Sequence, residues 1–377
     1  MAARTSEAPV APLGADELAA WLHLLHTEGV GRDTARRLLA HFGSPQAAVA
    51  AGAADLAGLV NPKIAQALAQ APTGHALRLA KTLAWRSAAP ARRVMVLGDA
   101  DYPPLLLYLQ GRAALLNARS VAIVGSRQAS AQGLDHARAF ARTLAQNGWA
   151  IVSGLAAGID AAAHQGALDA EGGAGTVAVV GTGLDRIYPR SHQALTERIA
   201  EQGLLVSELA LGTPPLAPNF PQRNRLIAGL SRGTLVVEAA LRSGSLITAR
   251  LAAEAGREVM ALPGSLLAPQ SHGCHALIRQ GAALVTSPEQ VLDELNGLPA
   301  LSLLDALAEP PAPPVTAQAT AQDAVLRALG HDPLSLDALI NRCGWSAPAL
   351  SAHLLTLELD GLVARLPGGL YQRRQSV

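Results

Sequence analysis

Between residues 92 and about 296 the chain alternates short, wholly apolar runs with Ala-rich stretches of helical length, and no other feature narrows its possible folds so far. The apolar runs are RVMVLG, SVAIVG, WAIVSG, TVAVVG, LLVSEL, TLVVEA, EVMALPG and ALVTS. The inner ones do not alternate polar with apolar, so both of their faces must be covered. The stretches between them, such as DHARAFARTLAQNG and GSLITARLAAEAGR, are long enough for crossover helices. This pattern predicts an α/β domain, a doubly wound and mainly parallel sheet that takes ligands at the carboxyl ends of its strands.

The flanks read differently. Residues 1–14 read as a flexible tail and residues 15–88 as short helices: ADELAAWLHLLH, TARRLLAHFG, AAVAAG and IAQALAQA. Within them EGVGRDTARRLLAHFG resembles a helix-hairpin-helix or SAM-like unit. There the Gly29–Val30–Gly31 hairpin, with Arg32, Arg36 and Arg37, either meets a phosphate or simply packs helices. Residues 297–320 form a Pro/Ala-rich linker. Residues 321–374 read as three helices and a hairpin, LVARLPGGLYQRR, which suggests a winged helix. Its candidate recognition helix, APALSAHLLTLELDG, has no Arg or Lys but carries Glu358 and Asp360. Only the wing is basic, with Arg365, Arg373 and Arg374, so this unit is expected to contact protein or regulate, with weak DNA contact as the lesser alternative.

With 377 residues, half of them hydrophobic and 16% charged, the chain has material for two or three domains and no case for global disorder. The net charge of +1 makes any polyanion footprint a local one. Lys63 and Lys81 are the only lysines, so later anion contacts fall to Arg and backbone amides. Two cysteines, no apolar leader and no run of about 18 apolar residues point to a cytoplasmic protein without membrane contact.

Several strand runs end in a Gly-rich loop. The first holds Gly125, Ser126 and Arg127, with Ser130 as a candidate N-cap of the next helix; amides at that helix start, plus an Arg, make an anion site. The next loops supply Ser153, Gly154, Gly158 and Asp160, then Gly181, Thr182 and Gly183. Further on come Arg242, Ser243, Gly244, Ser245 and Thr248, then Gly264 and Ser265. One such loop is only a tight turn, but loops at equivalent strand ends would ring one crevice. The segment NFPQRNRLIAGLS sets Arg223, Asn224 and Arg225 at the start of an apolar helix, against its dipole unless an anion compensates. Alternatively Arg225 pairs with Glu238 or Asp160 to brace the sheet. Phe220, one of three Phe, either stacks a base or sits in the core.

Other chemistries find less support. The G-x-G-x-x-G and Walker patterns are absent, so no nucleotide cofactor is expected. His272, Cys274 and His275 cluster, but in no standard zinc spacing. Asp160 and His164, four apart, suit capping and packing better than an acid–base pair.

Taken in order, VGSRQAS, SGLAAGIDAAAHQGAL, VVGTGLDRIYP, FPQRNRLIAGLS, VVEA–SGSLITA, ALPGS and LIRQGA resemble the DNA-processing protein A (DprA/Smf) family over about residues 92–296. The resemblance implies a Rossmann-like central domain. It also implies a non-enzymatic protein that binds single-stranded DNA, protects incoming DNA in natural transformation, helps load the RecA recombinase and forms homodimers. It places Gly125–Ser126–Arg127 and the FPQRNR segment on the DNA pocket. A rival reading is a nucleotide-binding or nucleotide-hydrolysing protein of the LOG type, but its PGGxGTxxE signature is broken here into RGTLVVEAA and LPGSLLAP. A second rival is a nucleotide-sensing regulator with the winged helix as output.

Overall fold

In strand β3 (Ser120–Val124) consecutive residues feed opposite cores: Val121 and Ile123 face one side, Ala122 and Val124 the other. That is the physical content of an apolar run without alternation. The computed structural model describes residues 13–96, 105–296, 325–326, 328–329, 334–359, 362–366 and 370–373. The chain forms two compact units, Met1–Leu298 and Pro299–Val377.

The first unit is built on a nine-stranded sheet of order β1-β2-β6-β5-β4-β3-β7-β8-β9. Besides β3, its parallel strands are β4 (Ala150–Ser153), β5 (Thr176–Val179), β6 (Leu204–Ser207), β7 (Gly233–Val236), β8 (Glu258–Ala261) and β9 (Ala283–Leu284). Two antiparallel strands, β1 (Arg92–Val96) and β2 (Leu106–Gly111), extend it beyond β6. The run RVMVLG anticipates β1, whereas β2 was not among the expected strands. The chain order reverses at β3, which has β4 on one side and β7 on the other, so the topological switch point lies between β3 and β7.

Helices cover both faces. On one lie α7 (Ala131–Gln146), α8 (Ile159–Leu168) and α13 (Pro288–Asn296), with α9 (Gln193–Gln202) beside α8. On the other lie α10 (Asn219–Leu230), α11 (Ser245–Glu254) and α12 (His272–Arg279). The N-terminal helices are α1 (Ala15–His26), α2 (Arg32–Phe42), α3 (Pro45–Ala50), α4 (Ala53–Leu56), α5 (Pro62–Leu68) and α6 (His75–Ser87). They share one core with the antiparallel edge: Leu18, Trp21 and Trp85 pack with Val94, Val96, Leu106, Tyr108 and Leu211. Among the described residues, no helix is long and apolar enough to cross a membrane.

In the second unit β10 (Leu334–Ser335), β12 (Leu370–Arg373) and β11 (Val363–Leu366) form an antiparallel sheet. It is joined by α14 (Leu336–Cys343) and α15 (Ala347–Leu359) around Leu339, Leu350, Leu354, Leu357 and Val363. The expected second and third helices and the hairpin are therefore present. The linker 297–320, Asp360, Arg374 and most of the expected tail and of the first expected helix lie outside the described residues.

Two buried side chains report on the cores. Trp149, 1% exposed, lies just before β4 in the core beneath α7, with the guanidiniums of Arg119 and Arg232 at 5.3 and 5.9 Å from its ring. Trp149→Ala is expected to cost about 3–5 kcal/mol in urea denaturation, and Arg119→Ala about 0.5–1 kcal/mol. His164 on α8 is fully buried; its Nδ1 donates to Thr176 Oγ1 at 2.7 Å, and that hydroxyl donates to the Ile151 carbonyl at 2.7 Å. Burial, then the neighbouring Arg223 and His192 side chains, lower its pKa from 6.5 to about 3. The folded imidazole stays neutral while the unfolded one takes a proton below 6.5, so stability falls as pH drops from 6.5 towards 3. The expected slope is up to about 1.4 kcal/mol per pH unit. It should be shallower in His164→Gln, as read by denaturant titrations between these pH values.

Candidate functional site

The strand-end crevice contains the Gly-rich loops, but its amide cradles are already filled. Glu238, just past β7, accepts from Ser130 N at 2.9 Å, and its other oxygen accepts from the Ser130 hydroxyl. Ser130 is the N-cap of α7, as expected, and accepts from Gly133 N at 3.0 Å. Ser126 N donates to the Glu238 carbonyl at 2.7 Å. The expected anion site at this helix start is therefore occupied by an internal carboxylate, which reaches it because β7 borders β3 at the switch point. The next loop is filled in the same way: Asp160 accepts from Gly154 N at 3.2 Å and Ala156 N at 3.3 Å. Burial pushes the Asp160 carboxyl above its usual range, opposed by Arg223 and these amides. Asp160 and His164 thus close a loop and pack a helix.

Arg223 is the keystone of the crevice. The sequence placed Arg223, Asn224 and Arg225 at a helix start, but α10 begins at Asn219, so they sit in its second turn. No dipole conflict needs an external anion there. Arg223, 8% exposed, donates through Nη1 to the carbonyls of Gly154, at 2.5 Å, and Val179, and through Nε to Asn224 Oδ1 at 2.9 Å. These carbonyls lie at the carboxyl ends of β4 and β5, where strand-end oxygens supply the negative potential. Burial lowers the Arg223 pKa to about 10; Asp160 counteracts this and Arg127 adds to it. A Cβ at position 154 would lie 2.3 Å from the Arg223 guanidinium and would displace it. At Gly158, with φ +77°, a Cβ would lie 2.2 Å from the Ser126 carbonyl, so the first two loops touch through bare backbone.

Above Arg223 is a small open pocket of about 90 Å³. Its walls include Arg127, Leu155, Gly181, Tyr188, Phe220 and Arg223. The exposed Arg127 guanidinium sits 5.7 Å from the Phe220 ring centroid. Phe220 and Tyr188 have ring centroids 5.5 Å apart at a 40° tilt, and Tyr188 is 44% exposed. The pocket therefore offers aromatic surface beside two guanidiniums, a setting for a planar ring and a phosphate. Leu155 in its wall has φ 58°, the one non-glycine residue with positive φ among those described. Tyr188 was not among the expected site residues. Its signal was modest: one of four Tyr, in a loop already marked by its glycines.

Not every expected residue lines this pocket. Gly125 lies against Ile159 below it, and Gly183 turns the loop after β5 by accepting from Arg186 N. Gly244 accepts from Asn224 Nδ2 at 3.3 Å, and Ser245 and Thr248 are buried at the start of α11, where they support α10. Ser243 opens instead onto a groove of about 750 Å³ beside α11 and α12. Arg225 pairs with neither Glu238 nor Asp160 but with Glu208, just past β6, which also meets Arg32 of α2 at 3.3 Å. A second bridge, Lys81 to Asp185 at 2.7 Å, joins α6 to the loop that carries Tyr188. His272 and His275 donate to the carbonyls of Leu266 and Gly264 at 3.1 and 3.0 Å, so they brace the loop after β8. Cys274 is buried and its thiol faces the Val236 carbonyl at 3.6 Å.

Residues 89–296 match the family described as DNA recombination-mediator protein A, residues 309–369 the DprA winged helix domain, and residues 15–69 the DprA-like N-terminal HHH domain. The chain is 46% identical over 290 residues to protein Smf of Escherichia coli, covering 74% of this chain and 75% of that protein. It is 50% identical over 193 residues to DNA processing protein DprA of Streptococcus pneumoniae, covering 51% of this chain and 67% of that one. The X-ray structure of DNA processing protein A from Streptococcus pneumoniae superposes with a TM-score of 0.63 at 36% identity, over 75% of this chain and 98% of that one. The chain belongs to the DNA recombination-mediator protein A family, whose members carry the names DprA and Smf.

Proposed function

We propose that this protein binds single-stranded DNA at the strand-end pocket, with a base against Phe220 and Tyr188 and its phosphate on Arg127. The observation that carries this reading is the Arg127–Phe220–Tyr188 stack above the buried Arg223. Stacking is tolerant of sequence because every base has a π-face, and a duplex keeps its bases paired and out of reach. The pocket, at about 90 Å³, is far below the roughly 300–1,000 Å³ that encloses a small-molecule ligand, so it suits one unit of a longer chain. Occupied amide cradles at α7 and in the β4 loop argue against a diphosphate seated there, and so against the LOG-type alternative.

The role is binding rather than catalysis. Among the described pocket residues the ionisable ones are Arg127, Tyr188 and Arg223; the nearby carboxylates of Glu238 and Asp160 are committed to backbone amides. In keeping with its family, the protein protects incoming single strands in natural transformation, assists RecA loading, works as a homodimer and acts in the cytoplasm. The winged helix, whose α15 carries no Arg or Lys, serves protein contact or regulation.

Fluorescence anisotropy with a labelled oligo-dT tests the pocket. Phe220→Ala should weaken binding by about 1–3 kcal/mol. Arg127→Ala should weaken it too, and should reduce the slope of log K against log salt by about 0.7. Duplex DNA should compete poorly. Affinity unchanged in both variants would remove the pocket from the DNA path, and turnover of a nucleoside monophosphate would favour the hydrolase instead. Gly154→Ala, which displaces Arg223, should lose DNA binding while the protein stays folded by circular dichroism.

A further inference from the structure

The ion pairs at Glu208 do more than hold two segments together. Arg32 stands in the first turn of α2 and Arg225 in the second turn of α10, and the single Glu208 carboxylate lies between them. Two guanidiniums against one carboxylate leave a surplus positive charge. Glu208 is 14% exposed, Arg225 25% and Arg32 42%, so the cluster opens to solvent on the Arg32 side. Arg225 Nε is buried with no hydrogen-bond partner among the described residues. A carboxylate with two oxygens does not satisfy the donors gathered here, whereas a phosphate adds further acceptors in a geometry that matches paired guanidiniums. The cluster also adjoins the pocket: β6 is the neighbour of β5, one strand spacing of about 5 Å away.

We propose that Arg32 and Arg225 form a second phosphate subsite, spanning the N-terminal helices and the central sheet, for the phosphodiester that leaves the strand-end pocket. Glu208 is its internal occupant. It holds the two guanidiniums in place in the free protein and is displaced from one of them when the strand runs across. The inference rests on the reading that single-stranded DNA occupies the pocket, and it gives that strand a direction, from the ends of β4 and β5 over β6 towards α2.

The test compares labelled oligo-dT of about 4 and about 16 nucleotides on the full chain, the range one single-strand module covers. Arg127→Ala, in the pocket, should weaken both lengths. Arg32→Ala should weaken the longer strand about tenfold, the worth of one charge-assisted hydrogen bond, and lower its salt slope by about 0.7, with the loss confined to that length. Glu208→Gln, which keeps the shape and removes the competing charge, should tighten the longer strand. Thermal melts confirm that all three variants are folded. Equal losses on both lengths in Arg32→Ala, no loss on the longer one, or weaker binding by Glu208→Gln would each overturn the subsite. If the wild type binds neither length, the pocket reading itself fails first.

Discussion

The buried guanidinium of Arg223 ties together the parts on which the site depends. A charge in that position is costly unless its hydrogen bonds are made, and here strand-end carbonyls and the side chain of Asn224 make them. Because it spans the ends of β4 and β5 from a helix on the opposite face, α10 is locked in register with the sheet. Phe220, one turn earlier on that helix, is thereby held against Gly181 and beneath Arg127. Asp160 completes the arrangement by closing the β4 loop while its charge offsets that of Arg223.

The same economy of charge explains how this doubly wound sheet departs from a dinucleotide fold. In such folds the amides after the first strand face a diphosphate. Here Glu238 reaches across the switch point and takes those donors, and Asp160 takes the next set. What remains for a ligand is side-chain chemistry: guanidiniums and aromatic rings on the rim. Such equipment suits a flexible polyanion held one unit at a time, with affinity built by repetition along the strand rather than by one enclosed ligand.

The N-terminal helices belong to this arrangement physically. Both of their described ion pairs to the central sheet land beside the pocket, at Asp185 in the loop that carries Tyr188 and at Glu208 next to α10. With a shared apolar core around Trp85 and Tyr108, the helical segment and the sheet form one unit. Any strand leaving the pocket over β6 meets Arg residues from both.

By itself the sequence determined the architecture and where the strand-end crevice lies. Apolar runs without alternation force a covered parallel sheet, and Gly at successive strand ends forces close loops around one crevice; the FPQRNR motif located the helix over it. The strand β2 escaped because LLYLQG merges with the apolar, Pro-flanked stretch before it. Partner choice was decided only in three dimensions. Glu238 and Glu208 lie far in sequence from Ser130 and Arg32, which they bind, and nothing local distinguishes a carboxylate that fills an amide cradle from one that faces water. Arg223 and Arg225, two residues apart on one helix, point about 200° apart around its axis, so one is sealed among carbonyls and the other joins Arg32. That divergence follows from helical geometry combined with the positions of β4, β5 and β6, which no spacing rule along the chain contains.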